Sequence, residues 1–153
     1  MPVGANVTIQ GHKELSRTFR ELVTVSGNLA RQEIKAAVLD IQRIAKRKVS
    51  GHGSGAVYVR GGTSHQASKP FDPPAKDIGN LATRVGSADA IAFENDQLTA
   101  TFGPRNYPIA SYLEFGTSKM APRPFLFRSF EEARPKIIRN MEKAISSFFK
   151  QFR

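Results

Sequence analysis

The most regular pattern of apolar positions in the chain predicts a helix from Leu29 to Val49. Apolar residues recur there every three or four positions, and neither glycine nor proline interrupts them. Asn28 suits the N-cap position, and Ser26-Gly27-Asn28 is expected to separate this helix from a shorter one over residues 15–22. The positive residues of its last turns complement the negative end of the helix dipole, and a docking surface is their alternative role.

Short alternating stretches predict strands elsewhere. Val7 and Ile9 alternate with polar residues, which suits a half-buried strand. Residues 81–86 also favour a strand. Residues 90–94 and 98–102 flank a polar turn at 95–97 and predict a β-hairpin.

Residues 51–78 differ in composition, being rich in Gly, Ser, Pro and Lys, and only Val57-Tyr58-Val59 favours a strand. A long stretch without regular structure inside a compact domain is usually functional or disordered. The pair Pro73-Pro74 favours extended polyproline geometry. We therefore expect residues 51–78 to form either an arm, which reaches a neighbouring molecule, or a floppy surface loop.

Residues 107–130 carry more signals of defined structure than any other stretch of the chain. An apolar and aromatic run ends at Gly116, where a helix would need a left-handed residue. A polar turn follows at 117–120, and Pro122-Arg123-Pro124 holds the next residues extended. Phe125 then opens a second apolar run at helical spacing. The pattern predicts that residues 107–130 form a buried corner, in which a short helix is followed by a second helix that packs against it.

A broad apolar stripe continues through residues 127–152, with Pro135 inside it. A proline within a helix removes one hydrogen bond and clashes with the preceding turn, so a kink or a new helix is expected at Pro135. Phe148, Phe149 and Phe152 exceed what one small sheet needs for cover. They predict either a subunit contact or the edge of the core.

The length and composition of the chain predict one domain, residues 1–153. With 40% hydrophobic residues it can build a core without metal or disulfide support. The chain has no cysteine, which excludes disulfide scaffolds, thiolate zinc sites and cysteine nucleophiles. No apolar run approaches a membrane span, and the N-terminal residues lack a signal-peptide profile, so a cytoplasmic protein is expected. The net charge of +10 favours an acidic partner, either nucleic acid or a negative protein surface.

No arrangement of residues favours catalysis. His12, His52 and His65 are scattered without zinc-ligand spacing, and the glycine run at 51–55 lacks the Gly-Lys-Ser/Thr ending of a phosphate loop. Glu131 and Glu132 are adjacent and so point in different directions on a helix. We expect a protein that is not an enzyme and has no cofactor and no metal. A basic nucleic-acid-binding protein is the alternative, although no DNA- or RNA-reading motif is present.

The stretch from Tyr112 to Leu126 resembles the signature of a tailed-bacteriophage family, the head–tail joining or tail-completion proteins of the neck. The matching residues are Tyr112, Leu113, Glu114, Phe115, Gly116, Thr117, Ser118, Met120, Arg123, Pro124, Phe125 and Leu126. The arm is similar to the loop of this family, apart from Phe71-Asp72 and Ile78. The matching residues of the arm and of the stretch that follows it are Tyr58, Arg60, Gly61, Gly62, His65, Ala67, Ser68, Pro70, Pro73, Pro74, Ala75, Asp77, Gly79 and Leu81.

This resemblance implies an α+β fold, with a small twisted antiparallel sheet against the long helix, a C-terminal helix, and an extended arm at about 51–78. It implies a structural virion protein that forms a ring, a hexamer or else a dodecamer, between the head connector and the tail tube. Genomic DNA would pass through the lumen without sequence-specific contact, and no membrane would be involved. The residues implied at ring contacts are Tyr58, Arg60, His65, Pro70, Phe71, Pro73, Pro74, Asp77, Phe115, Arg123, Pro124 and Phe125.

Overall fold

The computed structural model describes residues 12–76, 79–94 and 98–151, which form an α+β fold dominated by two long helices. The elements are α1 His12–Lys48, β1 Val57–Arg60, β2 Thr63–Gln66, α2 Asn80–Val85, β3 Ile91–Phe93, β4 Ala100–Phe102, α3 Pro108–Phe115 and α4 Leu126–Lys150. A short 3-10 turn, Ala88–Ala90, precedes β3. No helix in this described part of the chain is long and apolar enough to cross a lipid bilayer.

Helices α1 and α4 pack against each other in antiparallel directions. Lys48 Nζ lies 2.7 Å from Glu132 Oε2, and Lys136 Nζ lies 2.6 Å from Asp40 Oδ2. Arg47 also pairs with Glu132. Because later residues of α4 meet earlier residues of α1, these ion pairs define a charged seam along one side of the helix pair.

The core lies at the C-terminal end of α1, where four helices meet. Its buried cluster consists of Ala45, Val49, Ala82, Val85, Ala110 and Phe125. Phe125 is the largest side chain with no exposed surface. The amide of Gln42 donates to the carbonyls of Val85 at 3.0 Å and Ser87 at 2.8 Å, which ties the end of α2 to α1. The domain is therefore built around one end of a long helix pair.

Helix α1 is longer than the sequence pattern predicts, and the expected break at 26–28 is wrong. The hydroxyl of Ser26 donates to the carbonyl of Val23 at 3.0 Å, so it stays within the helix. Asn28 accepts a hydrogen bond from Arg31 at 3.1 Å through its side-chain oxygen and does not begin a new helix. A single glycine inside a helix costs only about 1 kcal/mol, which a long packed helix tolerates.

The strand predicted at 81–86 is also wrong, because these residues form helix α2. Its buried residues, Ala82 and Val85, are three positions apart and face Ala45 and Val49 of α1. Gly79 precedes α2 with φ 85°, and the N–H of Gly86 donates to Ala82 at 3.0 Å. Packing against α1 therefore outweighs the local preference for a strand.

The described residues form two separate two-stranded sheets, where a single sheet was expected. The predicted hairpin is confirmed as β3 paired antiparallel with β4, with Ile91 opposite Phe102, and its turn at 95–97 lies outside the described residues. The predicted strand at Val57 is confirmed as β1, whereas its partner β2 was not predicted. The strand predicted at Val7 and Ile9 lies outside the described residues.

Helix α4 continues through Pro135, so the expected new helix does not start there. Proline leaves one carbonyl of the preceding turn without its helical donor. That carbonyl belongs to Glu131, an exposed residue. On either side of Pro135, Glu132 and Lys136 form ion pairs with α1. These contacts hold both halves of α4 on the same partner helix.

Candidate assembly interface

Glu114 joins the short helix α3 to the long helix α4. Its carboxylate accepts three backbone hydrogen bonds, from Phe125 at 2.8 Å, Leu126 at 2.9 Å and Phe127 at 2.9 Å. The first N–H groups of a helix have no partner within the helix, and they form the positive end of its dipole. Glu114 is buried, being 8% exposed, so its carboxylate is the internal cap of α4.

Gly116 ends α3 with a backbone that only glycine adopts readily. It has φ 77° and ψ −177°, so the left-handed helical conformation predicted for it is wrong, although its φ is positive. A Cβ atom there would lie 2.7 Å from the carbonyl oxygen of Met120. Thr117 and Met120 pair across the polar turn that follows, through a 2.8 Å hydrogen bond. The chain therefore reverses tightly between α3 and the extended connector.

Arg123 ties the arm to this corner. Its guanidinium donates to the carbonyl of Ser68 through Nε at 3.2 Å and Nη2 at 3.1 Å. Its own backbone N–H donates to the carbonyl of Leu113 at 2.6 Å. The hydroxyl of Ser68, a buried residue, donates to the carbonyl of Pro73 at 2.7 Å. One side chain of the corner thus fixes the position of the arm at residue 68.

The second half of the arm folds back on the first. The N–H of Phe71 donates to the carbonyl of Pro122 at 2.8 Å, and Phe71 adopts a positive φ of 69°. The hydroxyl of Ser54 accepts from the N–H of Lys69 at 3.1 Å and donates to the carboxylate of Asp72 at 2.5 Å. Residues 51–76 are therefore joined to one another and to the corner by defined hydrogen bonds.

The glycine run at the base of the arm allows two backbones to meet. A Cβ atom at Gly53 would lie 2.0 Å from the carbonyl oxygen of Gln66. The N–H of Gly55 donates to Ala67 at 2.7 Å, and the N–H of Ala67 donates to Ala56 at 2.9 Å. These glycines close the base of a hairpin, which is a structural role for the run that resembles a phosphate loop.

Beyond this base, β1 and β2 form a hairpin that exposes apolar side chains. Gly61 and Gly62 occupy its two-residue turn with φ 56° and 76°, as a type I′ turn requires. Val57 is 63% exposed and Val59 is 73% exposed, although valine is usually buried. Because alternate residues of a strand point to opposite sides, these two valines share one face of β1.

The opposite face of the hairpin lines a cleft of about 520 Å³ between the arm and the core. Tyr58, Arg60 and His65 lie there, together with Pro74 and Arg123. The Tyr58 and His65 rings stack with centroids 5.7 Å apart. The structure therefore brings these five predicted interface residues together around one cleft.

The other predicted interface residues have different positions. Pro70 and Phe71 are exposed on the arm, while Pro73 and Pro124 are half-buried. Phe115 is 81% exposed, whereas Phe125 lies wholly in the core and can only support an interface from beneath. Asp77 lies outside the described residues. Glu114 has the central role in the corner, and its place one residue after Leu113 in an apolar run was the available signal.

Five large apolar side chains of α3 and α4 are exposed and are called here the aromatic face: Ile109, Tyr112, Phe115, Phe127 and Phe130. All five side chains are exposed, from 45% at Phe130 to 81% at Phe115. Exposed apolar side chains of this size are candidates for contact with another molecule. The chain therefore has exposed apolar surface on both the hairpin and the corner.

No protein-family profile, curated protein or solved structure matches the chain at a significant level. Within residues 12–76, 79–94 and 98–151, no three His, Cys, Asp or Glu residues lie together as metal ligands. The function is therefore inferred from the residues of the chain and their geometry.

Proposed function

We propose that this chain is a structural virion protein of a tailed bacteriophage, which forms a ring in the neck. The ring joins the head connector to the tail tube and leaves a channel for DNA, and the protein transforms no substrate. The observation that carries this proposal is the agreement between the signature stretch and the corner. Glu114, Gly116 and Arg123 belong to the resemblance, and each fixes a different part of the corner.

A ring whose subunits meet head to tail needs two different, complementary faces on every subunit. The exposed hairpin and the exposed aromatic face are two such surfaces. The corner holds the arm and α4 in a fixed relation through Glu114 and Arg123. A fixed angle between contact surfaces is what a closed ring requires, because a variable angle would give open chains or mixed sizes.

The proposed contacts with the neighbouring rings rest on the positive charge of the chain. The net charge of +10 suits docking on acidic surfaces of the neighbouring connector and tail-tube rings. Six subunits per ring is the proposed number, and mass measurement of the isolated assembly tests it. The protein would reside in the virion neck after assembly in the host cytoplasm.

Shortening the hairpin tests the proposal without disturbing the core. Residues 57–66 are replaced by Asn-Gly, so that a two-residue turn joins Ala56 to Ala67, which are already hydrogen-bonded. The variant should fold and keep the Arg123–Ser68 contact, yet complementation of a phage that lacks this gene should yield unjoined heads and tails. Infectious particles at the wild-type level would contradict the proposed role of the arm.

A basic nucleic-acid-binding protein is the second candidate, and the net charge of +10 is the observation in its favour. A salt titration on duplex DNA separates the two functions. A dedicated DNA-binding protein should retain a specific site at physiological salt. A neck protein should show weak binding that disappears as salt rises, without preference for sequence.

A further inference from the structure

The cleft between the arm and the core has the size and the mixed lining of a binding site. Its volume of about 520 Å³ lies within the range of roughly 300–1,000 Å³ that is typical of ligand sites. Part of its lining is apolar and comes from Val49, Leu81 and Ala82 of the core and from Pro74 of the arm. A few polar groups on such apolar walls fix the orientation of a ligand.

The charged side chains of this lining select an anion. Arg60 comes from β1, Lys76 from the end of the arm and Arg123 from the connector before α4. Among the described residues, no aspartate or glutamate lines the cleft. A cleft lined by one sign of charge concentrates the electrostatic field and attracts ligands of the opposite sign.

The guanidinium of Arg123 is held by a neutral group and keeps one edge open. Its Nε and Nη2 atoms donate to the carbonyl of Ser68, and the residue is half-buried. These donors form one edge of the planar group, so the edge of Nη1 and Nη2 is available to a second acceptor. Arg123 makes no ion pair with any residue that the structure describes. An open edge on a fixed guanidinium suits bidentate binding of a carboxylate.

Lys76 supplies a second positive group at the cleft. Its backbone N–H donates to the carbonyl of Gly51 at 2.9 Å, which fixes the chain at the base of the arm. Within the described ranges, its ammonium group has neither a hydrogen-bond partner nor an ion-pair partner. By contrast, the carboxylates of Asp40 and Glu132 are paired in the charged seam. The anion that suits the cleft therefore belongs to another molecule.

The rest of the lining favours a peptide over a nucleic acid. Single-stranded nucleic acid binds where its bases stack on aromatic rings along a positive groove. In the cleft, Tyr58 already stacks with His65, and Arg84 covers the ring of Tyr107 at 4.9 Å from its centroid. The aliphatic residues that line the core side suit apolar side chains instead. An extended peptide of alternating acidic and apolar residues presents both kinds of side chain, on opposite sides.

We propose that the cleft between the arm and the core binds an extended acidic segment of a partner protein. One carboxylate of that segment binds the open edge of Arg123, another pairs with Lys76, and its apolar side chains pack on Leu81 and Pro74. The inference deepens the proposed function and rests on it, since it assigns docking on the acidic surfaces of neighbouring rings to this cleft. The arm and the corner are then two walls of one site.

Titration with a defined peptide tests the site. The probe is a short peptide of alternating glutamate and leucine, blocked at both ends, and its control has glutamine in place of every glutamate. Isotope-labelled full-length protein is titrated with each peptide at low ionic strength, and the backbone amides are followed by NMR. The glutamate peptide should shift the amides of Leu81, Ala82 and Arg123 in a saturable way. The glutamine peptide should bind about tenfold more weakly or less.

Lys76 and Lys69 provide a matched pair of variants. Both are exposed lysines of the arm, but only Lys76 lines the cleft. K76M should weaken binding of the glutamate peptide by roughly twofold to fivefold, the range of an exposed ion pair, whereas K69M should leave it unchanged. Both variants should keep the wild-type circular dichroism spectrum. Equal weakening by the two variants would show attraction to the net charge alone and would overturn the inference.

A short thymidine oligonucleotide is the competing probe. If it shifts the same amides at lower concentration than the glutamate peptide, the cleft binds nucleic acid and the inference is wrong. The inference is equally wrong if the glutamate peptide gives no saturable shift at the cleft.

The outcomes separate this inference from the proposed function. A peptide site that K76M weakens, in a protein that is absent from phage necks, would support the cleft and refute the neck role. A ring in the neck formed by a protein whose cleft does not bind the glutamate peptide would refute the cleft alone.

Discussion

The carboxylate of Glu114 accepts a hydrogen bond from the N–H of Phe125 at 2.8 Å. A buried acid therefore contacts the core residue that comes directly after the proline connector. Phe125 has no exposed surface, so its backbone N–H has no access to water. The same carboxylate serves the next two N–H groups of α4. One side chain thereby sets both the start and the direction of the long C-terminal helix.

Substitution E114Q should destabilise the fold by about 1–3 kcal/mol, because an amide has one acceptor oxygen and leaves buried donors without a charged partner. The free energy of unfolding from urea denaturation measures this loss. E131Q is the matched control, since it removes an exposed carboxylate from α4, the helix that Glu114 caps, and should change stability little. Equal stabilities of the two variants would contradict the capping role.

Substitution R123K keeps the charge but removes the planar fork that holds Ser68. The arm should open more often while the core stays intact. Amide hydrogen exchange at Ala67 and Phe71, whose N–H groups are bonded to Ala56 and Pro122, should accelerate. R128K is the control, because Arg128 is exposed on α4. Unchanged exchange in R123K would show that other contacts hold the arm.

Substitution G116A should destabilise the protein by more than the 1–3 kcal/mol typical of a strained backbone, because its Cβ would also press on Met120. G103A is the matched control, since a Cβ at Gly103 would lie 3.9 Å from Leu126, an ordinary contact. The difference in melting temperature between the variants measures the effect. A G116A protein as stable as G103A would contradict the described corner.

The charged seam predicts how acid affects stability. The hydrogen bond from Lys136 lowers the pKa of Asp40, and Arg43 acts in the same direction. The hydrogen bond from Lys48 lowers the pKa of Glu132. A carboxyl whose pKa is lower in the folded state stabilises the protein above its unfolded pKa, which is about 4. That stabilisation is lost as pH falls through the folded pKa.

Substitution D40N should therefore flatten the fall in unfolding free energy between pH 5 and strongly acidic solution. K136M removes the lysine that pairs with Asp40 and should flatten the fall in unfolding free energy in the same way. The double variant should lose less than the sum of the single losses, because both changes break one interaction. Each effect should be within about 1 kcal/mol, since Lys136 is largely exposed. Additive losses would contradict a direct Asp40–Lys136 interaction.

The apolar spacing of 38, 41, 45 and 49 was enough to predict the second half of α1, and the alternation at 91–93 and 100–102 predicted β3 and β4. Helix α2 was missed because its short apolar run satisfies either period, and only contact with Val49 decides between them. Strand β2, Thr63–Gln66, has no hydrophobic residue and forms because the two glycines fold it onto β1.

The turns of the corner were predicted from the sequence, but the side-chain hydrogen bonds that hold it together were not. Glycine and proline positions indicate where the chain turns, and these gave the helix end at Gly116 and the extended connector at Pro122. The bonds of Glu114 and Arg123 join residues 11 to 55 positions apart. Such contacts depend on the finished tertiary structure, and local sequence patterns do not contain them.

Electron microscopy of virions that carry a tagged copy of this protein locates the subunit in the particle. We expect a ring of tagged subunits at the junction between capsid and tail, around an open channel. Particles that lack the protein should accumulate as separate filled heads and free tails. Virions with intact necks from which the tagged protein is absent would show that it is not a neck protein.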